Sequence, residues 1–368
     1  MKKVKILTFH NAENYGATLQ AYALKKILEK LNTNASFVNY INKEILKDYK
    51  LIRTNSLKSF FSSLLYLPRN LKRKRSFKSF TNRYLDTVTK KYYSKQDIEQ
   101  DLVKGETYIA GSDQIFNPEL TNGLSDIYTL NFGKDITKIV YGASLGNEEL
   151  LEKYSNDFNE KLQSVDMLSV RENNIVKPLE KVTGKKVEKV LDPTLLLEKN
   201  DWDKLVLENQ VTNLDNKKYI LIYTLFEDKE ITRIANYLSK ETGLRVIHFR
   251  KYNAYNNELI SLYTKGPADF VNAFKKAEYV ITNSFHGLVF SIIFERKFYS
   301  VMPISRGGRL RDLIELVGLE TRAIKRLEDI FNLDINKNID YKKVKEILNN
   351  EKAKSIQYLE KGINITDV

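Results

Sequence analysis

The sequence predicts two doubly wound α/β domains, each a parallel sheet with helices on both faces. Three observations carry this expectation. Short apolar strands alternate with amphipathic helical segments, the alternation runs twice, and 368 residues exceed one ordinary core. Polar, turn-rich sequence near residues 198–218 separates the two runs, so the boundary is expected within 185–215, with residues 1–190 and 191–368 as the two domains.

Each element has its own local signal. Residues 4–9 read as the first strand, and Ala17, Ala21, Leu24, Leu28 and Leu31 recur at helical spacing to mark the buried face of the helix that follows. Residues 35–40 supply the second strand and complete a βαβ unit. Strands near 107–110, 139–143 and 167–170 continue the first series. The second series runs through 219–223, 245–249, 279–282 and 297–301, and helices close the chain. In such sheets ligands bind beyond the carboxyl ends of the strands, so two domains facing each other are expected to leave a cleft there.

Composition narrows the chemistry. With 42% hydrophobic and 29% charged residues the chain reads as soluble and globular. No apolar run reaches the ~18–20 residues of a membrane span, and the start, Met1-Lys-Lys-Val-Lys-Ile-Leu, lacks a signal-peptide core. The expected location is cytoplasmic, with the inner face of the membrane as a place of peripheral contact. An absence of cysteine excludes disulfides, thiolate zinc sites and cysteine nucleophiles, and His10, His248 and His286 stand too far apart for metal-ligand spacing. Neither metal nor cofactor is expected.

The net charge of +13 is concentrated in one stretch: residues 49–85 hold ten Lys or Arg and no Asp or Glu, a basic amphipathic insertion in the N-terminal domain. Leu57, Phe60, Phe61, Leu64 and Leu65 follow helical spacing, Pro68 stops the pattern, and Arg69, Lys72, Arg73, Lys74, Arg75 and Lys78 follow. An apolar stripe beside cations suits an anionic membrane surface. A core helix followed by a solvated basic face fits the same pattern. No recognised nucleic-acid motif accompanies the charge, so nucleic acid is not an expected partner.

Several polar clusters fall at strand ends. Tyr279-Val-Ile-Thr-Asn-Ser-Phe-His286-Gly287 drives a buried strand into a helix, and unpaired N–H groups at a helix start can hold a carboxylate or phosphate beside a titratable imidazole. A core histidine filling the corner is the competing reading. His10-Asn-Ala-Glu-Asn-Tyr-Gly16 sets His10, Asn14 and Tyr15 at the first strand–helix turn, where Gly16 lets backbone approach a ligand. Asp113, in Gly111-Ser-Asp-Gln, can bind a sugar hydroxyl or act as acid or base, or simply make an Asx-turn. Ser144 ends another strand in Tyr141-Gly-Ala-Ser-Leu-Gly. Arg171, in Ser169-Val-Arg-Glu, can grip an anion in bidentate fashion or pair with a helix-start glutamate. Asp192, before a proline, fits a turn. Arg306, Arg309 and Arg311 occupy the glycine-rich Ser305-Arg-Gly-Gly-Arg-Leu-Arg ahead of a helix.

Taken in order, Asn14-Tyr-Gly-Ala-Thr-Leu-Gln-Ala-Tyr-Ala-Leu24, Gly111-Ser-Asp-Gln, Tyr141-Gly-Ala-Ser-Leu-Gly, Ser169-Val-Arg-Glu, Leu191-Asp-Pro-Thr and Asn283-Ser-Phe-His-Gly resemble the polysaccharide pyruvyl transferase family over roughly residues 3–325. The resemblance implies two Rossmann-like domains arranged as in GT-B glycosyltransferases, and transfer of pyruvate from phosphoenolpyruvate, a co-substrate, to a saccharide or lipid-linked oligosaccharide as a cyclic ketal. It implies donor contacts at Arg171, in the N-terminal domain, and at His286, in a C-terminal donor domain; Ser284 and Gly287 beside His286 are further donor-side candidates, and His10, Asn14, Tyr15 and Ser144 are acceptor-side candidates. His286 and Asp113 are the implied catalytic pair.

One departure bears on the donor. Where the better-characterised branch reads Arg-Leu-His, this chain has Ser284-Phe285-His286, and a hydroxyl in place of a bidentate cation weakens anion binding unless another cation substitutes. Arg306 and Arg309 are the candidates. Two further classes stay open: a GT-B-like glycosyltransferase using a nucleotide sugar, and a non-catalytic, membrane-associated glycan-assembly protein.

Overall fold

A computed structural model describes residues 1–47, 49–52, 56–85, 90–214, 217–250, 260–303 and 307–365. Two six-stranded sheets form, and every strand pair is parallel. The first holds β1 (Lys2–Leu7), β2 (Thr33–Phe37), β3 (Thr107–Gly111), β4 (Thr137–Ala143), β5 (Met167–Val170) and β6 (Val187–Lys189), in the order β2-β1-β3-β4-β5-β6. The second holds β7 (Tyr219–Tyr223), β8 (Arg245–His248), β9 (Ile260–Ser261), β10 (Tyr279–Thr282), β11 (Lys297–Val301) and β12 (Ala323–Ile324), in the order β12-β11-β10-β7-β8-β9. Strand order reverses beside β1 in one sheet and beside β7 in the other, which fixes a crevice between β1 and β3 and another between β7 and β10. Strands β3, β4, β7 and β10 are buried at every position, as parallel strands covered on both faces must be.

Local chemistry explains the ends of the elements that frame these crevices. Asn14 caps the helix Tyr15–Lys30, accepting from the Ala17 N–H at 3.2 Å, and Ser284 caps Phe285–Ile293, accepting from the Gly287 N–H at 3.4 Å. Gly287 is required by close approach: a Cβ there would lie 2.1 Å from Thr282 Oγ1. Gly111, at the end of β3, has φ +140 and a virtual Cβ 1.9 Å from the Tyr141 carbonyl oxygen of β4, so only glycine fits.

The compact units are discontinuous in sequence. One comprises Met1–Arg53, Lys78–Leu197 and Asn349–Val368, the other Thr54–Phe77 and Glu198–Leu348. This differs from the contiguous expectation of 1–190 and 191–368 with 49–85 inserted in the first domain, and two long helices are the reason. In Leu67–Tyr84, Arg69 donates to Ser261 Oγ at 3.2 Å and Arg73 to the Tyr263 carbonyl at 2.9 Å. Its last turns instead bring Phe80 and Tyr84 against Tyr22. In Tyr341–Ile363, Tyr341 donates to the Arg296 carbonyl at 2.5 Å, while Tyr358 donates to the Val140 carbonyl at 2.9 Å in the first sheet. Arg69 and Arg73 therefore do not belong to a solvated basic face. Among the described residues no helix is long and apolar enough to cross a membrane.

Two buried histidines make stability depend on pH. Burial lowers the His10 pKa to about 4 against the hydrogen bonds of the Thr8 carbonyl and Asn39, and burial with the charges of Arg250 and Arg69 lowers His248 to about 4. Both imidazoles are neutral when folded at neutral pH and bind protons near their usual 6.5 when unfolded. Stability present above that pH is thus lost as pH falls from 6.5 towards 4, with a slope of up to about 1.4 kcal/mol per pH unit for each imidazole. Urea midpoints are expected to drop between pH 7.5 and pH 5 (roughly the span of this titration); equal midpoints would exclude neutral burial.

Candidate active site

In the first unit, five strand ends bring a polar network together. Thr8, just past β1, donates from Oγ1 to the Ser112 carbonyl at 3.1 Å, and Gln20 joins the two by donating to Thr8 Oγ1 at 2.9 Å and accepting the Ser112 N–H at 3.1 Å. Asp113 follows with φ 74 in the left-handed region, its Oδ1 accepting from the Gln114 N–H at 2.9 Å. That bond reaches only the next residue, one short of the Asx-turn, which closes on the N–H two residues on, and the same Oδ1 lies 3.8 Å from Arg171 Nη2.

Arg171, immediately after β5, is ion-paired through NH1 with Asp192 Oδ2. Burial opposes the guanidinium charge, and the carboxylates of Asp192, Asp113 and Glu172 outweigh it and raise its pKa. Asp192 also caps the helix Pro193–Leu196, accepting from the Thr194 N–H at 3.0 Å, so its turn role holds and a second role adds to it. Ser144 Oγ donates to Glu172 Oε1. Within this cluster exposure differs: the Asp192 side chain is 0% exposed, Arg171 3% and Asp113 13%. Of that trio Asp113 is the most exposed.

The other residues expected on the acceptor side are packed differently. His10 is buried, with Nδ1 3.1 Å from the Thr8 carbonyl oxygen and its ring 5.5 Å from Phe37. Tyr15 and Ser144 are buried, while Asn14 is half-exposed at its helix cap. The structure therefore links Asp113, Ser144 and Arg171 in one network and sets His10, Asn14 and Tyr15 along the β1 turn.

In the second unit the β10–helix turn is built as the sequence predicts. Thr282 Oγ1 donates to the Tyr223 carbonyl at 2.6 Å and accepts the Ser284 N–H at 3.0 Å. Asn283 ties the same turn to the loop after β7, accepting the Leu225 N–H at 3.0 Å and donating to the Phe226 carbonyl at 3.3 Å. Two strand ends are thereby fixed around the N-terminus of Phe285–Ile293. His286 stands on its first turn, largely buried, its ring 5.3 Å from that of Phe285. The Arg309 guanidinium lies 5.9 Å from the Phe285 ring centre, and Arg311 is exposed. Arg306 lies outside the described residues.

Sequence reasoning missed Arg250. It follows β8 and donates from Nε to Thr224 Oγ1 at 3.1 Å, beside the end of β7. Nothing in its own neighbourhood of sequence signals this, since the placement depends on β8 pairing with β7. A helix N-terminus, His286, Arg309 and Arg250 make this end of the sheet suited to anions. Within the first unit, Asp113 is a carboxylate held next to the buried Arg171 cation.

A sequence profile described as polysaccharide pyruvyl transferase matches residues 14–303. Among solved structures, the chain is similar to UDP-N-acetylglucosamine 2-epimerase from Rickettsia bellii, with a TM-score of 0.51 and 11% identity over 100% of this chain and 99% of that one. It is also similar to the Methanocaldococcus jannaschii UDP-GlcNAc 2-epimerase, with a TM-score of 0.48 and 14% identity over 95% and 99%. The first likeness shows the fold, two Rossmann-like α/β units of the GT-B kind. Comparison with curated proteins gives no match.

Proposed function

Because the chain belongs to the polysaccharide pyruvyl transferase family and is a transferase by that membership, we propose that it moves pyruvate from phosphoenolpyruvate to a sugar of a polysaccharide or of its lipid-linked precursor. A proton is added to the methylene carbon, C2 becomes electrophilic, and one sugar hydroxyl adds there as its proton leaves to a base. The second hydroxyl then displaces phosphate at C2, its proton leaving with the phosphate, and closes the cyclic ketal. Atoms balance with one phosphate released and no oxidant needed.

The observation that carries this reading is the turn at His286, where an imidazole, a helix N-terminus and Arg309 stand together. In the proposal the helix N-terminus and Arg309 hold the anionic donor, and His286 contacts its phosphate or delivers the proton. Asp113 takes a hydroxyl proton from the acceptor. Arg171 acts through Asp113 and Asp192, because its guanidinium is already paired.

A thermal-shift panel tests the donor class. Phosphoenolpyruvate is expected to raise the unfolding temperature by mass action, whereas nucleotide sugars leave it unchanged. Stabilisation by a nucleotide sugar and not by phosphoenolpyruvate would favour a glycosyltransferase instead.

Arg309 is the proposed replacement for the arginine that Ser284 displaces. Arg309→Ala is expected to weaken phosphoenolpyruvate binding roughly ten- to hundredfold, the effect of one charge-assisted hydrogen bond, and Ser284→Arg in that background to restore part of it. Calorimetric titration reads both. Unaltered affinity in Arg309→Ala would remove Arg309 from the donor site.

A further inference from the structure

The helix Leu57–Leu65 carries an apolar stripe that the fold leaves uncovered. Phe61, Leu64 and Leu65 stand at i, i+3 and i+4, on one side of the helix, and are 65%, 42% and 74% exposed. A core helix would have buried that stripe. The helix Leu67–Tyr84 follows directly, and its residues divide by face. Arg69, Arg73 and Ser76, at i, i+4 and i+7, are held inward by Ser261, Tyr263 and Thr264, and Asn70 accepts from the Tyr263 hydroxyl at 3.1 Å. Lys72, Lys74 and Arg75 fall off that stripe and are exposed, with no ion pair among the described residues. No acid occurs anywhere in residues 49–85 to neutralise them.

We propose that Phe61, Leu64 and Leu65 together with Lys72, Lys74 and Arg75 form a docking surface for an anionic lipid bilayer. The two parts ask for one chemistry: apolar side chains that gain by leaving water at the headgroup boundary, beside cations attracted to phosphate headgroups. A second copy of the chain would set these cations against their own kind. A nucleic-acid strand would satisfy the cations and leave the leucines without a partner. The inward anchors hold the segment to its unit, so the surface is presented by folded protein. This inference concerns location alone and does not depend on the transfer reaction.

Co-sedimentation with vesicles tests it. The wild-type chain is expected to bind vesicles of phosphatidylglycerol mixed with phosphatidylcholine, to bind phosphatidylcholine alone far less, and to be released as salt shortens the Debye length from about 8 Å to about 3 Å. Combining Lys72→Gln, Lys74→Gln and Arg75→Gln should lower partitioning on the order of 100-fold, about fivefold for each cation, with thermal unfolding unchanged because none of the three packs. Phe61→Ser with Leu65→Ser should weaken binding while leaving its salt dependence. Wild-type partitioning by the triple variant, or equal wild-type binding to neutral and anionic vesicles, would overturn the proposal. So would a single-stranded oligonucleotide outcompeting the vesicles, or a dimer that Phe61→Ser and Leu65→Ser dissociate in the absence of vesicle binding.

Discussion

Replacing His286 with alanine is expected to lower turnover by about 10²–10⁴ while the protein stays folded, the range that general acid–base catalysis contributes. His286 stands on the first turn of a helix whose start is already fixed by Ser284, Thr282 and Asn283. Removing the imidazole leaves those bonds intact, so the loss should appear in kcat. His286→Gln offers a second test: it keeps a hydrogen-bond donor without a titratable group, and should hold donor affinity better than alanine without recovering turnover. Full ketal-forming activity in His286→Ala would remove the histidine from the chemistry.

Arg171→Ala is expected to destabilise the fold by about 3–5 kcal/mol, because it strips the buried Asp192 of its cation. That cost differs from the simple loss of a donor contact. Asp192→Asn should destabilise too, though less, since the amide keeps its oxygen for the Thr194 N–H. Arg171→Met combined with Asp192→Leu should recover part of the loss, as replacing a buried pair with apolar groups often does. Urea unfolding measures all of these. An Arg171→Ala protein with wild-type stability would mean that the pair contributes nothing to folding, and would return Arg171 to a direct role on the donor.

Much of this architecture can be read from one strand or one turn at a time. β7 and β10 are buried along their whole length, and their sequences are apolar or aromatic runs broken only by Thr282 at the end of β10, as fits parallel strands covered on both faces. The His286 turn is equally local, since strand, cap and helix lie within one short stretch. What escapes is built by pairing between distant segments. Arg171 meets Asp192 across an intervening helix and strand, so the glutamate next to it in sequence looks like the natural partner and is instead taken by Ser144. Arg250 gains its place only because β8 lies beside β7. Gln20, which no local pattern singles out, is fully buried and joins Thr8 to Ser112. The division into units fails for a related reason. Each of the two long helices contributes to both units, and an apolar pattern within a helix does not show which sheet each turn will meet.

The most direct test of the proposed reaction follows the carbon skeleton of the donor. Phosphoenolpyruvate labelled with ¹³C at C2 is incubated with the purified protein and a cell-envelope glycan fraction from the source organism, and the products are read by carbon NMR beside a phosphate assay. The expected result is label in a quaternary ketal carbon of the glycan, with phosphate released in equal amount and both signals lost in His286→Ala. Label that stays in phosphoenolpyruvate or in free pyruvate, while the same glycan accepts sugar from a nucleotide donor, would contradict pyruvyl transfer.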